Sequence, residues 1–238
     1  MKKAIVIGAT SGIGKGISNL LVENLFTVGI TGRRTNLLQE MKTEHLNFFE
    51  IATLDITEVN TIEIKLNELV KTLGGLDLLI ICSGTGDLNE KLEFNIEQKT
   101  IETNILGFTC VADWAFNYFE KQKSGHLVGI SSVGGLRGSR FAPAYNASKA
   151  FQINYLEALR QKAKKSKMPI IITDVRPGFV NTEMAKGEGL FWVAPVDKAA
   201  KQIFKAIRNK KKVLYVTKRW RIVAGLLKRI PNSLYEKM

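Results

Sequence analysis

The sequence is poor in the residues that build disulfide frameworks, metal centres and linkers. Its 238 residues include only two cysteines, two histidines and five prolines. Cys82 and Cys110 lie in apolar runs, and we interpret them as buried free thiols in a reducing compartment. His45 and His126 stand alone, without the cysteine or carboxylate cluster of a metal site. These absences exclude a disulfide-rich secreted module and predict a protein without a bound metal.

Long apolar segments are absent as well. No stretch approaches the ~18–20 residues of a membrane-spanning helix, and the apolar start over 4–7 runs into glycines without a signal-peptide cleavage site. We therefore expect a cytoplasmic protein. With 45% hydrophobic and 24% charged residues, the composition is that of a globular chain long enough to bury a core.

Positive charge is concentrated at one end of the chain. The net charge is +13, yet residues 198–238 carry thirteen Lys or Arg and a single acidic side chain. The preceding 197 residues are nearly balanced, with 22 basic and 21 acidic side chains. A uniformly basic nucleic-acid-binding protein would not show this asymmetry. A local field of this kind attracts lipid head groups, phosphates or acidic partner surfaces.

Apolar runs and helical patterns alternate along the chain. The predicted strands cover 3–7, 27–31, 48–54, 76–81, 127–130, 170–175 and 212–216. The predicted helices cover 13–25, 35–43, 59–73, 96–120, 146–165 and 196–209. This order predicts an α/β, Rossmann-like, doubly wound parallel sheet of about seven strands with helices on both faces. We expect one domain over 1–217, followed by a basic amphipathic extension over 218–238.

A glycine-rich turn, Gly8-Ala9-Thr10-Ser11-Gly12-Ile13-Gly14, follows the first strand directly. Glycines there permit a sharp turn and a close approach to a pyrophosphate, while the next helix presents free N–H groups to the anion. The alternative is a merely flexible loop. Because the turn stands at the first strand–helix junction, the pattern favours a dinucleotide site.

The second strand ends in Thr31-Gly32-Arg33-Arg34. An acidic residue at this point would bind a ribose 2′-hydroxyl, whereas guanidinium groups suit a 2′-phosphate. The alternative is two solvated charges, which are mildly unfavourable at a helix start. We therefore predict NADPH rather than NADH.

A serine, a tyrosine and a lysine have the spacing of a proton-transfer site. Ser132 follows the strand that ends at Ile130, and Tyr145 and Lys149 stand four residues apart on one face of a helix. A nearby ammonium favours the phenolate, so Lys149 is predicted to lower the pKa of Tyr145 from about 10. The tyrosine could then exchange a proton with a carbonyl or alcohol oxygen, to which Ser132 could also hydrogen-bond.

Together, the glycine turn, Ser132 and Tyr145-x-x-x-Lys149 resemble the short-chain dehydrogenase/reductase family over nearly the whole chain. The resemblance implies NADP-dependent reduction of a ketone or aldehyde, or oxidation of the alcohol, by hydride transfer. In this interpretation Tyr145 protonates the substrate oxygen, Ser132 orients it, and Asn104 passes the proton to water. The alternative function is a non-catalytic NADPH-binding regulator that uses its basic tail on a partner.

The resemblance also implies the remaining cofactor contacts. Asp55 resembles the residue that bonds the adenine amino group, and the segment from Pro177 to Thr182 resembles the one that contacts the nicotinamide carboxamide. The family's two asparagines after the fourth strand are missing, and Ser83 is expected to take part of their role. The predicted cofactor-binding residues are Gly8, Thr10, Ser11, Gly12, Ile13, Gly14, Arg33, Arg34, Asp55, Ile56, Ser83, Gly84, Tyr145, Lys149, Pro177, Gly178, Val180 and Thr182.

The segment after Pro177-Gly178 forms a substrate lid in the family, with Gly187 and Gly189 as expected pivots here. Its apolar side chains, with one more between the serine and the tyrosine, predict a substrate with a hydrophobic body. The alternative is that they pack on the core or on a partner subunit. The candidate substrate residues are Phe141, Met184, Phe191 and Trp192.

Residues 218–231 place apolar side chains at helical spacing among Lys and Arg. Such a helix could lie peripherally on an anionic membrane surface, or it could cover the core or join subunits. Members of the family usually form homodimers or homotetramers through the helices predicted at 96–120 and 146–165. We expect such an oligomer and a small carbonyl or alcohol substrate. We expect no nucleic-acid partner, because the tail lacks interleaved aromatics beyond Trp220 and has no known nucleic-acid-binding module.

Overall fold

The computed structural model describes residues 1–185 and 190–237. Its strands are β1 (Lys2–Ile7), β2 (Phe26–Gly32), β3 (Phe49–Thr53), β4 (Leu78–Ile81), β5 (Gly125–Ile130), β6 (Ile170–Pro177) and β7 (Val213–Val216). They form a seven-stranded parallel sheet in the order β3-β2-β1-β4-β5-β6-β7. The predicted α/β, doubly wound fold is confirmed, and each predicted strand lies in this sheet.

The helices are α1 (Gly12–Glu23), α2 (Thr35–Glu44), α3 (Val59–Leu73), α4 (Phe94–Ile101), α5 (Phe108–Gln122), α6 (Pro143–Ser166), α7 (Val196–Arg208), α8 (Trp220–Leu227) and α9 (Asn232–Tyr235). The long helix predicted over 96–120 is confirmed, since the backbone is helical without a break from Phe94 to Gln122. A π-helical segment, Glu102–Gly107, separates α4 from α5. Gly107 packs so closely on the backbone of Ile56 that a Cβ there would lie 2.3 Å from the Ile56 carbonyl oxygen.

Side chains from alternate positions of the strands fill two separate cores. In β1, Ile5 and Ile7 pack with α3, α5 and α6, whereas Ala4 and Val6 pack with α1, α2 and α7 on the other face. This is why the central strands are apolar at every position, since both of their faces are buried.

The register brings the carboxyl ends of the central strands to one edge. Ile7 pairs with Thr31 on one side and with Ile81 on the other, and Ile130 pairs with Val175. The strand order reverses between β1 and β4, the point at which ligands bind in open α/β sheets. The glycine turn therefore starts beside the segments that follow β2 and β4.

The carboxyl-terminal helices fold back onto the body of the protein. Trp220 is 5% exposed. Arg137 donates to the Ile230 carbonyl oxygen at 3.2 Å, and the Tyr235 hydroxyl donates to the Gly138 carbonyl oxygen at 2.6 Å. Trp220, Ile230 and Tyr235 belong to the segment predicted as a basic extension over 218–238, and one side of that segment packs on the body of the protein. The division at residue 217 stays a prediction.

Candidate active site

The turn between β1 and α1 has the shape of an anion cradle. Gly8 has a φ of +83°, and a Cβ there would lie 2.7 Å from the Ser83 backbone nitrogen. A Cβ at Gly14 would lie 2.0 Å from the Gly8 carbonyl oxygen, so only glycine lets α1 approach β1 this closely. Ser11, at the N-cap of α1, makes no side-chain capping bond. The first N–H groups of α1 therefore have no side-chain cap and can serve an anion.

Two guanidinium groups stand beside this cradle. Arg34 donates from Nε and Nη2 to the Thr10 Oγ1, at 3.2 and 2.9 Å, and from Nη2 to the Ser11 Oγ at 2.8 Å. Arg33 lies 3.7 Å from an Asp55 carboxylate oxygen and is largely exposed. The two cations are held at the end of β2, on the wall of the same cavity.

Asp55 is held as a carboxylate after β3. Its Oδ1 accepts hydrogen bonds from the Thr57 backbone nitrogen at 3.0 Å and from the Thr57 hydroxyl at 2.8 Å. Burial raises the pKa of Asp55, but the Thr57 bonds and the Arg33 charge outweigh it and hold that pKa below its usual value. Asp55 can therefore accept hydrogen bonds at neutral pH.

The tyrosine and the serine meet at the other end of the cavity. Ser132 Oγ accepts from the Gly134 backbone nitrogen at 3.0 Å and lies 3.4 Å from the Pro177 carbonyl oxygen. Burial raises the pKa of Tyr145, and a hydrogen bond from Ser132 only partly offsets it. The ring lies against Gly86, where a Cβ would come within 2.2 Å of it. The phenol is therefore protonated at neutral pH.

The prediction that Lys149 lowers the pKa of Tyr145 is wrong for this structure. The Lys149 Nζ lies 5.8 Å from the centre of the tyrosine ring and bonds elsewhere, to the Ile130 carbonyl oxygen at 3.1 Å and the Gln152 Oε1 at 2.9 Å. Burial of the phenol is the largest influence on its pKa, ahead of the hydrogen bond from Ser132. Burial also lowers the pKa of Lys149 to about 8, against the opposing charges of Asp174 and Cys82.

Asn104 lies behind the cavity wall rather than on it. Its side chain accepts from the Thr85 backbone nitrogen at 2.9 Å and donates to the Thr85 carbonyl oxygen at 2.7 Å and the Ser148 Oγ at 2.9 Å. The π-helical segment thus clamps the loop after β4 to α6. The Asn104 carbonyl oxygen accepts from the Gln152 Nε2 at 2.9 Å.

One cavity of about 1220 Å³ joins these parts. Every residue predicted to bind the cofactor lines it, together with Ser132, Phe141 and Met184. Phe191 and Trp192 do not line it. They pack at 5.1 and 6.3 Å between ring centres on Trp220, and so belong to an aromatic cluster outside the wall. Gly187 and Gly189, expected as pivots, lie outside the described residues.

Sequence reasoning missed several contributors to this cavity and its support, among them Gly86, Asp87 and Glu90 in the loop after β4. Trp220 and Leu227, from the segment predicted as an extension, line the wall. A Cβ at Gly178 would lie within 2.2 Å of the Trp220 indole, so the glycine makes room for it. Gln152 is fully buried behind Lys149. A glutamine on the apolar face of a predicted helix was the only available signal for it.

Comparison with known proteins gives a consistent result. The sequence model of the family described as short chain dehydrogenase matches residues 2–190. An uncharacterized oxidoreductase of Myxococcus xanthus is 32% identical over 188 residues, which cover 77% of this chain and 74% of that protein. An uncharacterized oxidoreductase of Mycobacterium tuberculosis is 33% identical over 193 residues, which cover 77% and 75%. The solved structure of ElxO with NADP bound matches with a TM-score of 0.78 and 25% identity, covering 91% of this chain and 97% of that chain.

Proposed function

Because this chain belongs to the short-chain dehydrogenase family of oxidoreductases, we propose that it reduces a ketone or aldehyde at the expense of NADPH. The observation that carries the proposal is the convergence of the glycine cradle, the arginine pair and the Ser132–Tyr145 pair on one cavity. NADPH, when bound, supplies the hydride, and the protein supplies position and a proton.

The cofactor half of the cavity fits a phosphorylated dinucleotide. The uncapped start of α1 and the glycines that leave no Cβ in the turn suit a pyrophosphate. Arg33 and Arg34 suit a 2′-phosphate, which guanidinium groups bind through paired hydrogen bonds. ElxO, whose solved structure contains NADP, supports the same choice.

Tyr145 is proposed as the proton donor. A phenol whose pKa is raised by burial is protonated at neutral pH, which suits donation to the oxygen of a carbonyl that is being reduced. Ser132, hydrogen-bonded to Tyr145, orients the same oxygen. Lys149 holds its charge on the same wall of the cavity, next to the ring. This assignment favours the reductive direction.

The substrate half of the cavity favours a compound with a hydrophobic body. Its wall is built from Phe141, Met184, Leu190, Trp220 and Leu227. Asp87, Glu90 and Lys99 line the same cavity, and we propose a carbonyl compound whose hydrophobic body contacts the apolar part of the wall.

A panel of aliphatic and aromatic ketones and aldehydes tests the proposal, with NADPH absorbance as the measurement. We expect oxidation of NADPH only when a carbonyl compound is present. NADPH binding, read by fluorescence, without turnover of any carbonyl would favour the non-catalytic regulator instead. Failure to bind NADPH would contradict both functions.

We also propose two associations. Exposed Ile101 and Leu106 beside α5 support a homo-oligomer through the α4–α5 and α6 surfaces, which light scattering after size exclusion tests.

On α8, exposed Ile222 and Leu226 among basic residues support peripheral contact with an anionic membrane. Flotation with anionic and with neutral vesicles tests this contact, and absence of binding at low salt would contradict it.

None of the helices within residues 1–185 and 190–237 combines the length and apolar character that crossing a membrane requires. The cytoplasmic location expected from the sequence stays a prediction.

A further inference from the structure

Gln152 connects the lysine of the candidate site to the π-helical segment. It is fully buried on α6, three residues after Lys149. Its Oε1 accepts from the Lys149 Nζ at 2.9 Å, and its Nε2 donates to the Asn104 carbonyl oxygen at 2.9 Å. The three residues form a hydrogen-bonded row that runs inward from Lys149 on the cavity wall, with exposures of 3% for Lys149 and 0% for the other two.

Two of the three N–H donors of the Lys149 ammonium are used within the protein. An ammonium has three N–H donors. The Ile130 carbonyl oxygen and the Gln152 Oε1 take two of them. The third remains for a ligand in the cavity, whose wall includes Lys149. At the C-terminal end of the π-helical segment, backbone N–H groups donate to the carbonyl oxygens of Thr103 and Ile105, and the Asn104 carbonyl oxygen between them accepts from the Gln152 side chain.

We propose that Gln152 is a positioning residue that aims the Lys149 ammonium into the cavity and closes the path from that ammonium toward Asn104. A primary amide accepts at its oxygen and donates at its nitrogen, but it does not take up and release a proton between them at neutral pH. The Lys149–Gln152–Asn104 row therefore keeps the positive charge on Lys149 and does not conduct protons toward Asn104.

This inference rests on the proposed function and changes one part of its proton balance. The O–H bond of Tyr145 breaks, and its proton forms the O–H bond of the product alcohol. The resulting phenolate takes up one proton from the bulk solvent, carried by water that enters on the cavity side, and Lys149 ends the cycle unchanged. Asn104 acts through its carbonyl oxygen and its clamp on Thr85, in place of the relay to water expected from the sequence.

The test begins with the pKa of Lys149, read by NMR of isotopically labelled lysine and assigned with Lys149→Arg. The titratable groups that face Lys149 are the Asp174 carboxylate on β6, the Cys82 thiol after β4 and the Tyr145 phenol on α6. Gln152→Glu leaves these in place and adds a carboxylate beside the ammonium. We expect the pKa of Lys149 to rise by ~1–3 units. The basic limb of the kcat profile should move in the same direction.

Gln152→Leu removes the acceptor, and we expect the pKa of Lys149 to fall. With protons arriving from the cavity side, kcat should drop by about tenfold or less, the effect of one lost hydrogen bond. The matched control is Gln122→Leu, which removes two amide-to-carbonyl bonds of 2.9 Å, to Leu76 and Ser124, at the opposite edge of the sheet. It should lower the Tm without moving the pH profile.

Two outcomes would overturn the inference. One is an unchanged Lys149 pKa in a folded Gln152→Glu protein; if that variant does not fold, an unchanged pKa in Gln152→Leu has the same force. The other is a kcat loss beyond ~100-fold in Gln152→Leu, the size expected when a proton-transfer route is removed. Because the NMR titration needs no turnover, an inactive wild type would count against the proposed function and leave this inference testable.

Discussion

The two halves of the cavity are built from different ranges of the chain. The cofactor half comes from short segments at the ends of β1, β2 and β3, which include Gly8, Arg34 and Asp55. The substrate half is assembled from Phe141, Met184 and Trp220, which come from three distant segments. The cofactor half follows from sequence patterns that span only a few residues. The substrate half depends on how the carboxyl-terminal helix folds back onto the body of the protein. This difference explains why the sequence predicted the residues of the cofactor half, but in the substrate half predicted Phe141 and Met184 and missed Trp220.

The halves also differ in what holds them. In the cofactor half, Arg34 is tied to Thr10 and Ser11 by directed hydrogen bonds. In the substrate half, Trp220 packs face to edge on Phe179, with 5.4 Å between ring centres. Directed bonds restrict which side chains can be exchanged, while apolar contacts tolerate exchanges of similar volume. We therefore expect variants to separate cofactor binding from substrate preference.

Tyr145→Phe tests the junction between the halves. Loss of the hydroxyl removes the proton donor, so we expect kcat to fall by about 10²–10⁴-fold. The NADPH dissociation constant should stay within a few-fold, because the glycine cradle is untouched. Stopped-flow turnover and fluorescence titration measure the two quantities. A variant that still turns over at the wild-type rate would remove Tyr145 from the mechanism.

Gly14→Ala disrupts the glycine turn and so tests the cofactor half alone. The added Cβ would lie 2.0 Å from the Gly8 carbonyl oxygen, so α1 must move away from β1. Overpacking of this kind costs about 1–3 kcal/mol, and we expect NADPH binding to weaken by about 10–100-fold. Gly138→Ala is the control, since a Cβ there meets nothing within 4 Å. Equal NADPH affinity in the two variants would contradict the cradle.

Arg34→Leu sharpens the comparison within the cofactor half. Loss of a charge-assisted contact to a 2′-phosphate should raise the KM for NADPH by about tenfold. The KM for NADH should change much less, because NADH carries no such phosphate. Steady-state kinetics with both cofactors, run in parallel on Arg33→Leu, compares the two arginines. An equal loss with NADH would assign Arg34 to holding the turn rather than the phosphate.

Trp220→Phe addresses the substrate half and has the smallest expected effect. The substitution trims the wall beside Gly178, and aromatic contacts of this kind contribute about 0.5–1.5 kcal/mol. We expect substrate KM to change by roughly two- to tenfold, differently for small and bulky carbonyls, with NADPH affinity unchanged. Ile222→Ser on the exposed face of α8 is the control. Unchanged preference across the panel would remove α8 from substrate recognition.

Local patterns in the sequence were sufficient for the sheet, the cradle and the spacing of Ser132, Tyr145 and Lys149. A strand–glycine–helix junction and two side chains one helical turn apart are set by backbone geometry over a few residues. These features needed no knowledge of distant contacts. The same holds for the family, whose motifs lie in these segments and whose sequence model matches residues 2–190.

Long-range packing decided the features that local patterns could not supply. Among the aromatic residues of the last third of the chain, Trp220 lines the cavity, where Gly178 makes room for its indole, and Trp192 does not. The pKa of Tyr145 rises because the fold buries the phenol, and the hydrogen bond from Ser132 offsets this only in part. Gln152 meets a carbonyl 48 residues earlier in the chain. Burial and contacts of this range come from how the elements pack, and no pattern of a few residues encodes them.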